Sequence, residues 1–131
     1  MNQKLSEQLS DFLTLLTQAQ KDYSQSQEEI IRLDQLTQDY LHMLELQTTG
    51  YHDKARIAET LRKCRMERRK HKDTVSVLEP LVNHLGSERG KTMISQLQQV
   101  LGAVRKAEKT ASGRRYTPRV LSPEEYEGKL K

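Results

Sequence analysis

The six residues "TTGYHD" (48–53) decide the fold, because they separate two long runs of apolar residues that share one spacing. Residues 1–49 contain neither Gly nor Pro, so nothing in them interrupts a helix. Gly50 can adopt the left-handed conformation that ends a helix, and Asp53 can cap the next one. The stretch therefore predicts a turn between two long helices.

The run before the turn places a residue of one stripe at alternating steps of four and three. Its twelve positions are Leu5, Leu9, Phe12, Leu16, Ala19, Tyr23, Ser26, Ile30, Leu33, Thr37, Tyr40 and Leu44. This alternation is the seam of a coiled coil, sustained over more than five heptads. Ser26 and Thr37 weaken the seam locally. A helix of about 45 residues with one apolar stripe needs a partner stripe to bury it.

The run after the turn supplies that partner. Its seam positions are Ile57, Leu61, Cys64, Arg68, His71, Val75, Leu78, Val82 and Leu85. In an antiparallel hairpin, the numbers of the two residues in each facing pair add up to the same sum along the whole hairpin. The heptad phases of the two runs allow a sum of 94, 101 or 108. Only 101 centres the hairpin on Gly50 and Tyr51. This register places Leu33 opposite Arg68 and makes Asp34 a plausible partner for that arginine.

Pro80 falls within the second run, but the heptad phase continues across it, which predicts a kink and not an end. We therefore predict an all-α protein with helices at 3–48, 53–85 and 88–111, the first two forming a long antiparallel coiled-coil hairpin. The predicted division is a helical hairpin or three-helix domain at 1–111, followed by an extended basic C-terminal tail with a short terminal helix at 112–131.

The stretch "GSERGKT" (86–92) is close to a phosphate-binding loop. That motif needs four residues between its glycines and must follow a β-strand. Here Gly86 and Gly90 are separated by three residues, and a helical heptad precedes them. We interpret the stretch as a helix connection in which Gly86 ends one helix and Ser87 caps the next, and we predict no nucleotide site at Lys91.

The third helix has apolar residues at three-four spacing from Met93 to Val104. Leu5, Leu9 and Phe12 extend past Leu85 and have no partner in the hairpin. Either the third helix or a second copy in a homodimer could cover them.

The tail contains two opposing signals. Thr117–Pro118 predicts extended backbone, whereas "SPEE" (122–125) is typical of a helix start. Tyr116, Val120, Leu121 and Tyr126 are candidates to anchor the tail to the bundle.

Composition and motifs argue against an enzyme. The single cysteine, Cys64, excludes an internal disulfide and fits a reducing compartment, and no signal peptide or membrane span occurs in the sequence, so we expect a cytoplasmic protein. Cys64 and His71 share a face, but a metal site needs three or four convergent ligands. Both are seam positions, so we expect neither a metal nor a cofactor. Nucleophilic catalysis would need an exposed and activated Cys64, and Cys64 lies on the stripe that we expect to be buried.

Charge is distributed unevenly along the 131 residues, whose net charge is +4. The first helix is acidic and the second is basic, and arm-to-arm complementarity alone could account for "RKCRMERRKHK" (62–72). A functional alternative rests on Arg62, Arg65, Arg69 and Lys72, which recur at three-four spacing on the side away from the seam. Such a stripe can bind phosphates or an acidic protein surface. Arg114, Arg115, Tyr116 and Arg119 form a second candidate site.

The stretches "DYLHMLEL" (39–46), "RMERRKHKD" (65–73) and "RRYTPRVL" (114–121) resemble small helical proteins carried by prophages and mobile elements of Gram-positive bacteria. The resemblance spans about residues 33–121 and includes no catalytic motif. It implies a class of small phage-encoded proteins that often bind and inhibit a host machine, including CRISPR nucleases.

Three functions remain open from the sequence. The first is a non-enzymatic protein that binds a host protein or nucleoprotein complex through the basic stripe and tail. The second is a direct nucleic-acid-binding accessory protein of phage replication or recombination, and the third is a coiled-coil scaffold. We favour the first, because the first helix is acidic and the net charge is modest for a stand-alone nucleic-acid binder.

Overall fold

A computed structural model of the protein describes residues 3–47, 50–114 and 119–130. These form four helices in chain order: α1 (Leu5–Leu46), α2 (Tyr51–Gly86), α3 (Glu88–Gly113) and α4 (Pro123–Leu130). None of the described residues is in a strand. The predicted all-α fold is confirmed, and the helix boundaries differ from the predicted ones by about two residues.

Helices α1 and α2 pack along their length as a hairpin, and burial follows the two predicted seams. The buried residues of α1 include Leu16, Ala19, Ser26 and Leu33, all seam positions. Those of α2 are Ile57, Cys64 and Leu85, again seam positions. The stripe that the heptad spacing predicts is therefore the stripe that the two helices bury against each other.

Two polar contacts cross the centre of the seam. Arg68 Nε donates to Asp34 Oδ1 at 2.5 Å, which confirms the predicted pair and fits the predicted register. His71 Nδ1 lies 3.3 Å from Ser26 Oγ. Ser26 is one turn from Ile30, the predicted partner of His71, so this contact lies between two layers of the seam.

The turn between α1 and α2 differs in detail from the prediction. Gly50 has φ −116° and ψ 153°, which is extended backbone, and no described glycine has a positive φ. Gly50 is itself the N-cap of α2, and Asp53 lies inside the first helical turn. The predictions of a left-handed Gly50 and an Asp53 cap were therefore wrong. An acidic residue in the first turn still favours the helix, because it faces the positive end of the helix dipole.

Helix α2 continues through Pro80 and ends at Gly86. The predicted connection to α3 is confirmed: Ser87 is the N-cap of α3, and its Oγ accepts a hydrogen bond from the Gly90 N–H at 3.1 Å. Gly90 is buried where the two helices meet. A Cβ on Gly90 would lie 1.9 Å from the carbonyl oxygen of His84. The second glycine of "GSERGKT" is thus required by a close approach of helix ends.

Helix α3 packs against both α1 and α2. A pair of hydrogen bonds ties its far end to the start of α1: the Ser6 N–H donates to Glu108 Oε1 at 3.0 Å, and the Ser6 hydroxyl donates to Oε2 at 2.7 Å. Lys4 is the N-cap residue of α1, but its side chain makes no capping hydrogen bond. Glu108 therefore satisfies an end of α1 that the local sequence leaves open.

The apolar residues at the start of α1 are only partly covered by α3. Leu101 of α3 is buried, whereas Leu5 and Phe12 remain 55% and 44% exposed. In the tail, Val120 is 95% exposed and Leu121 is also exposed, and α4 makes no packing contact with the other three helices in the part of the chain that the structure describes. The prediction that Val120 and Leu121 anchor the tail was wrong, and Tyr116 lies outside the described residues.

Candidate functional site

The predicted basic stripe lies exposed on α2, but its four residues do not act alike. Arg62 is paired within the helix: its Nε and Nη2 donate to the two carboxylate oxygens of Glu59 at 3.0 and 2.7 Å. Its Nη1 also lies 3.0 Å from Met66 Sδ. The Arg62 guanidinium holds the pKa of Glu59 below its ordinary value, chiefly through these hydrogen bonds. Arg62 is therefore paired with its neighbour Glu59 and is not among the residues that line the groove described next.

The other three stripe residues line an open groove between α2 and α1. We use the name basic groove for this concavity of about 450 Å³, which is lined by Asp34, Thr37, Arg65, Arg68, Arg69 and Lys72. Its volume falls within the range of small binding clefts. The α2 wall supplies four cations, and the α1 wall supplies Asp34 and Thr37.

This arrangement corrects the predicted orientation of the stripe. Arg65 and Lys72 directly follow the seam residues Cys64 and His71 in sequence, so they flank the seam and do not point away from it. Arg68, which we assigned to the seam alone, is half-buried and also lines the groove. The site that the sequence indicated as a helix face is an interhelix groove.

The charges of the groove are not balanced within it. Asp34 is bound to Arg68. Arg69 lies 4.0 Å from Asp73, and these two side chains are 74% and 68% exposed, so their ion pair contributes little. Arg65 and Lys72 are in no ion pair among the described residues. One carboxylate against four cations leaves a formal charge of +3 facing solvent.

The second predicted site is only partly within the described residues. Arg114 and Arg119 are exposed, and Arg115 and Tyr116 lie outside the described part of the chain. A basic cluster that the sequence analysis missed lies nearby: Lys4, Arg105 and Lys109 border a cleft of about 770 Å³ around Ser6 and Glu108. No local pattern could reveal it, because Lys4 and Arg105 are about 100 residues apart.

The acidic member of that cleft is held in its charged form. Hydrogen bonds from the Ser6 hydroxyl and then the Ser6 backbone N–H lower the pKa of Glu108, with smaller contributions from Lys4 and Arg105. Glu108 is thus engaged in joining α3 to α1. We assign this cleft a structural role.

The single cysteine and the histidines were considered above as possible metal ligands. Cys64 is buried in the seam, and the described residues contain no group of three or more His, Cys, Asp or Glu side chains that could hold a metal ion. At "GSERGKT", the N–H groups of Gly90 and Lys91 donate to Ser87 Oγ and to the Ser87 carbonyl. In a phosphate-binding loop such amides face the ligand.

Comparison with known protein families, curated proteins and solved structures finds no match to this chain. No helix in the described ranges is both long enough and apolar enough to cross a membrane. The groove's own geometry therefore carries the functional argument.

Proposed function

We propose that the protein is a non-enzymatic helical binding protein that uses the basic groove to hold an anionic surface of a host protein or nucleoprotein machine. The observation that carries this proposal is the cluster of Arg65, Arg68, Arg69 and Lys72 around a single carboxylate, Asp34. An exposed excess of charge in a concave site speeds encounter with a complementary partner and selects against partners of like charge. Mutual neutralisation of the hairpin arms, the simpler interpretation, does not account for Arg65 and Lys72, which are in none of the ion pairs found among the described residues.

The size of the groove favours a protein surface over direct binding of duplex nucleic acid. Arg65 and Lys72 are seven residues apart, about 10 Å along the helix. Proteins that hold a duplex through backbone charge commonly contact about 6–10 phosphates. The groove has four cations, one of which is already bound to Asp34. Direct nucleic-acid binding remains the alternative. If it occurs through this groove, its affinity should fall with salt no more steeply than about four phosphate contacts produce.

The resemblance of three stretches to prophage-carried proteins extends the proposal. A small phage-encoded protein with a charged groove suits the role of a modulator or inhibitor of a host machine, such as a defence complex. The exposed Arg114 and Arg119 in the tail are candidates for a second contact with the same partner.

The test reverses two groove charges and compares the variant with a matched control. Arg65→Glu/Arg69→Glu changes the net charge by the same amount as Lys54→Glu/Arg56→Glu, whose side chains are exposed on the same helix outside the groove. Tagged proteins are used to capture partners from host lysate, with and without nuclease treatment. Circular dichroism verifies that each variant is folded.

We expect both variants to fold, because exposed charges contribute little to stability. Capture of the partner should fall by at least about tenfold in the groove variant alone, because repulsive contacts replace attractive ones. Equal capture by both variants would refute the groove as the binding surface. Loss of all capture after nuclease treatment, together with salt-dependent duplex binding by the purified protein, would support the nucleic-acid alternative.

A further inference from the structure

One side of α1 changes from closed to open along the hairpin. Positions that recur every seven residues lie on one side of a coiled-coil helix. The positions directly after every second seam residue, starting with Leu5, form such a set, which we call the after-seam side: Ser6, Leu13, Gln20, Gln27, Asp34 and Leu41. Ser6 is buried, Leu13 and Gln20 are half-buried, and the last three are exposed. This side is therefore covered at the α3 end and uncovered toward the turn.

The matching side of α2 is also uncovered. Its after-seam side, at the positions that directly follow Ile57, Cys64, His71 and Leu78, consists of Ala58, Arg65, Lys72 and Glu79, all exposed. The opposite side of α2, at the positions directly before Leu61, Arg68, Val75 and Val82, is more covered: Thr60, Thr74 and Leu81 are half-buried there, and Glu67 is exposed. In an antiparallel pair the two after-seam sides face each other, so they form one continuous open side of the hairpin, of which the basic groove is the centre.

Helix α3 shows what this side of α1 accepts. At its covered end the side holds a helix whose carboxylate, Glu108, receives two hydrogen bonds from Ser6. The open side is a continuation of this surface with no helix on it. Further along, it has cations on α2 and an apolar residue on α1, Leu41, which is 38% exposed one heptad beyond Asp34.

We propose that the open side binds an acidic amphipathic helix of a partner protein, which lies beside α1 and α2 as a third strand of the coiled coil. Carboxylates at intervals of three, four or seven residues would face Arg65, Arg69 and Lys72, and an apolar residue of the partner would cover Leu41. This inference rests on the proposed function and specifies the partner's chemistry. Cations beside an exposed leucine favour an amphipathic helix over a phosphate backbone, because a phosphate backbone has no apolar group that could cover Leu41.

The probe is a synthetic helix of about 21 residues, three heptads, with leucines along one stripe and glutamates flanking that stripe. Its control is an isomer of identical composition with the glutamates moved to the opposite face. Binding of each labelled peptide is measured by fluorescence anisotropy, and a DNA duplex of about 20 base pairs serves as the phosphate probe. The proteins are the wild type, Arg65→Glu/Arg69→Glu, Leu41→Ser and the control Lys54→Glu/Arg56→Glu.

We expect the wild type to bind the flanked peptide at least about tenfold more tightly than its isomer, because only the first presents carboxylates to the groove. The groove reversal should abolish this preference, Leu41→Ser should weaken peptide binding, and the Lys54/Arg56 control should retain it. Equal binding of the two peptides would overturn the inference. So would tight duplex binding that is lost in the groove reversal and unaffected by Leu41→Ser.

Self-association gives a further decisive outcome. If the wild type sediments as a dimer and the groove reversal as a monomer, a second copy occupies the open side and the inference is refuted.

The lysate experiment distinguishes failure of this inference from failure of the proposed function. Partner capture that depends on the groove, with no preference between the peptides, would leave the proposed function standing without the helix. Partner capture that does not change when the groove charges are reversed would refute both proposals.

Discussion

The substitution Gly90→Ala tests directly what the "GSERGKT" stretch does. The added Cβ would lie 1.9 Å from the His84 carbonyl oxygen and 2.8 Å from Leu85 Cα. Real Cβ atoms stay at least 3.0 Å from such neighbours, so the ends of α2 and α3 must separate by about 1.1 Å. Both obstructing groups are backbone and cannot rotate away. Forcing apart a packed contact costs about 1–3 kcal/mol, more than the gain of at most about 1 kcal/mol from replacing Gly by Ala in a helix.

Gly102→Ala is the matched control for this prediction. Gly102 lies in the same helix, and a Cβ there would meet nothing within 4 Å. It should stabilise the protein by about 0.5–1 kcal/mol. Urea and thermal unfolding, followed by circular dichroism, would give the two changes in free energy with opposite signs. Equal stabilisation by both substitutions would refute the close approach at the corner.

Three further predictions concern stability, pH and nucleotide binding. Leu85→Ala removes a side chain that is 1% exposed and should lower the free energy of unfolding in urea by about 2–5 kcal/mol. Leu61→Ala, at a half-buried position, should lower it by less. The folded protein lowers the pKa of Glu108. The link of Glu108 to Ser6 therefore stabilises the fold above the ordinary glutamate pKa of about 4.3, and this contribution is lost as the pH falls below that value. Glu108→Gln should melt at a lower temperature than the wild type at neutral pH and converge with it in acid, and a difference that does not change with pH would contradict this. Calorimetry should detect no magnesium-dependent binding of ATP or GTP. Binding that is present in the wild type and lost in Lys91→Ala would support the phosphate-loop interpretation instead.

The hairpin could be predicted because one physical requirement governs its whole length. A helix of 3.6 residues per turn buries a continuous stripe only if apolar residues alternate at steps of three and four. Both runs satisfy this, and Gly50 interrupts them at the one place that brings the stripes together. Residues such as Leu33 and Cys64 are consequently buried as predicted. The Asp34–Arg68 pair followed from register alone.

Features that depend on an approach between elements could not be predicted. Gly90 reads as an ordinary glycine near a helix start, and only its distance to the His84 carbonyl explains it. Gly50 and Asp53 were assigned their most frequent roles, but the chain begins α2 two residues earlier and needs no left-handed glycine. The contact between Ser6 and Glu108 joins residues about 100 positions apart and has no local signal.

The candidate site was predicted by its residues and not by its shape. Spacing identified Arg65, Arg69 and Lys72, because these share a helix face whatever that helix packs against. Spacing could not show that α1 provides the opposite wall through Asp34, or that Glu59 removes Arg62 from the set. Whether a charge is available depends on its neighbours in space, and these are fixed by packing.

The arginine at seam position 68 belongs both to the seam of the hairpin and to the basic groove. A seam position normally holds an apolar residue, and a buried charge needs a compensating partner. Arg68 has one in Asp34, at 2.5 Å, and a shift of one heptad in either direction would place Asp34 opposite Leu61 or Val75 instead. The pair therefore discriminates against both alternative registers, as polar seam residues do in coiled coils. Since Arg68 and Asp34 also line the basic groove, the register that satisfies their charges is the one that assembles the groove, and a hairpin that slipped would lose the groove together with its ion pair.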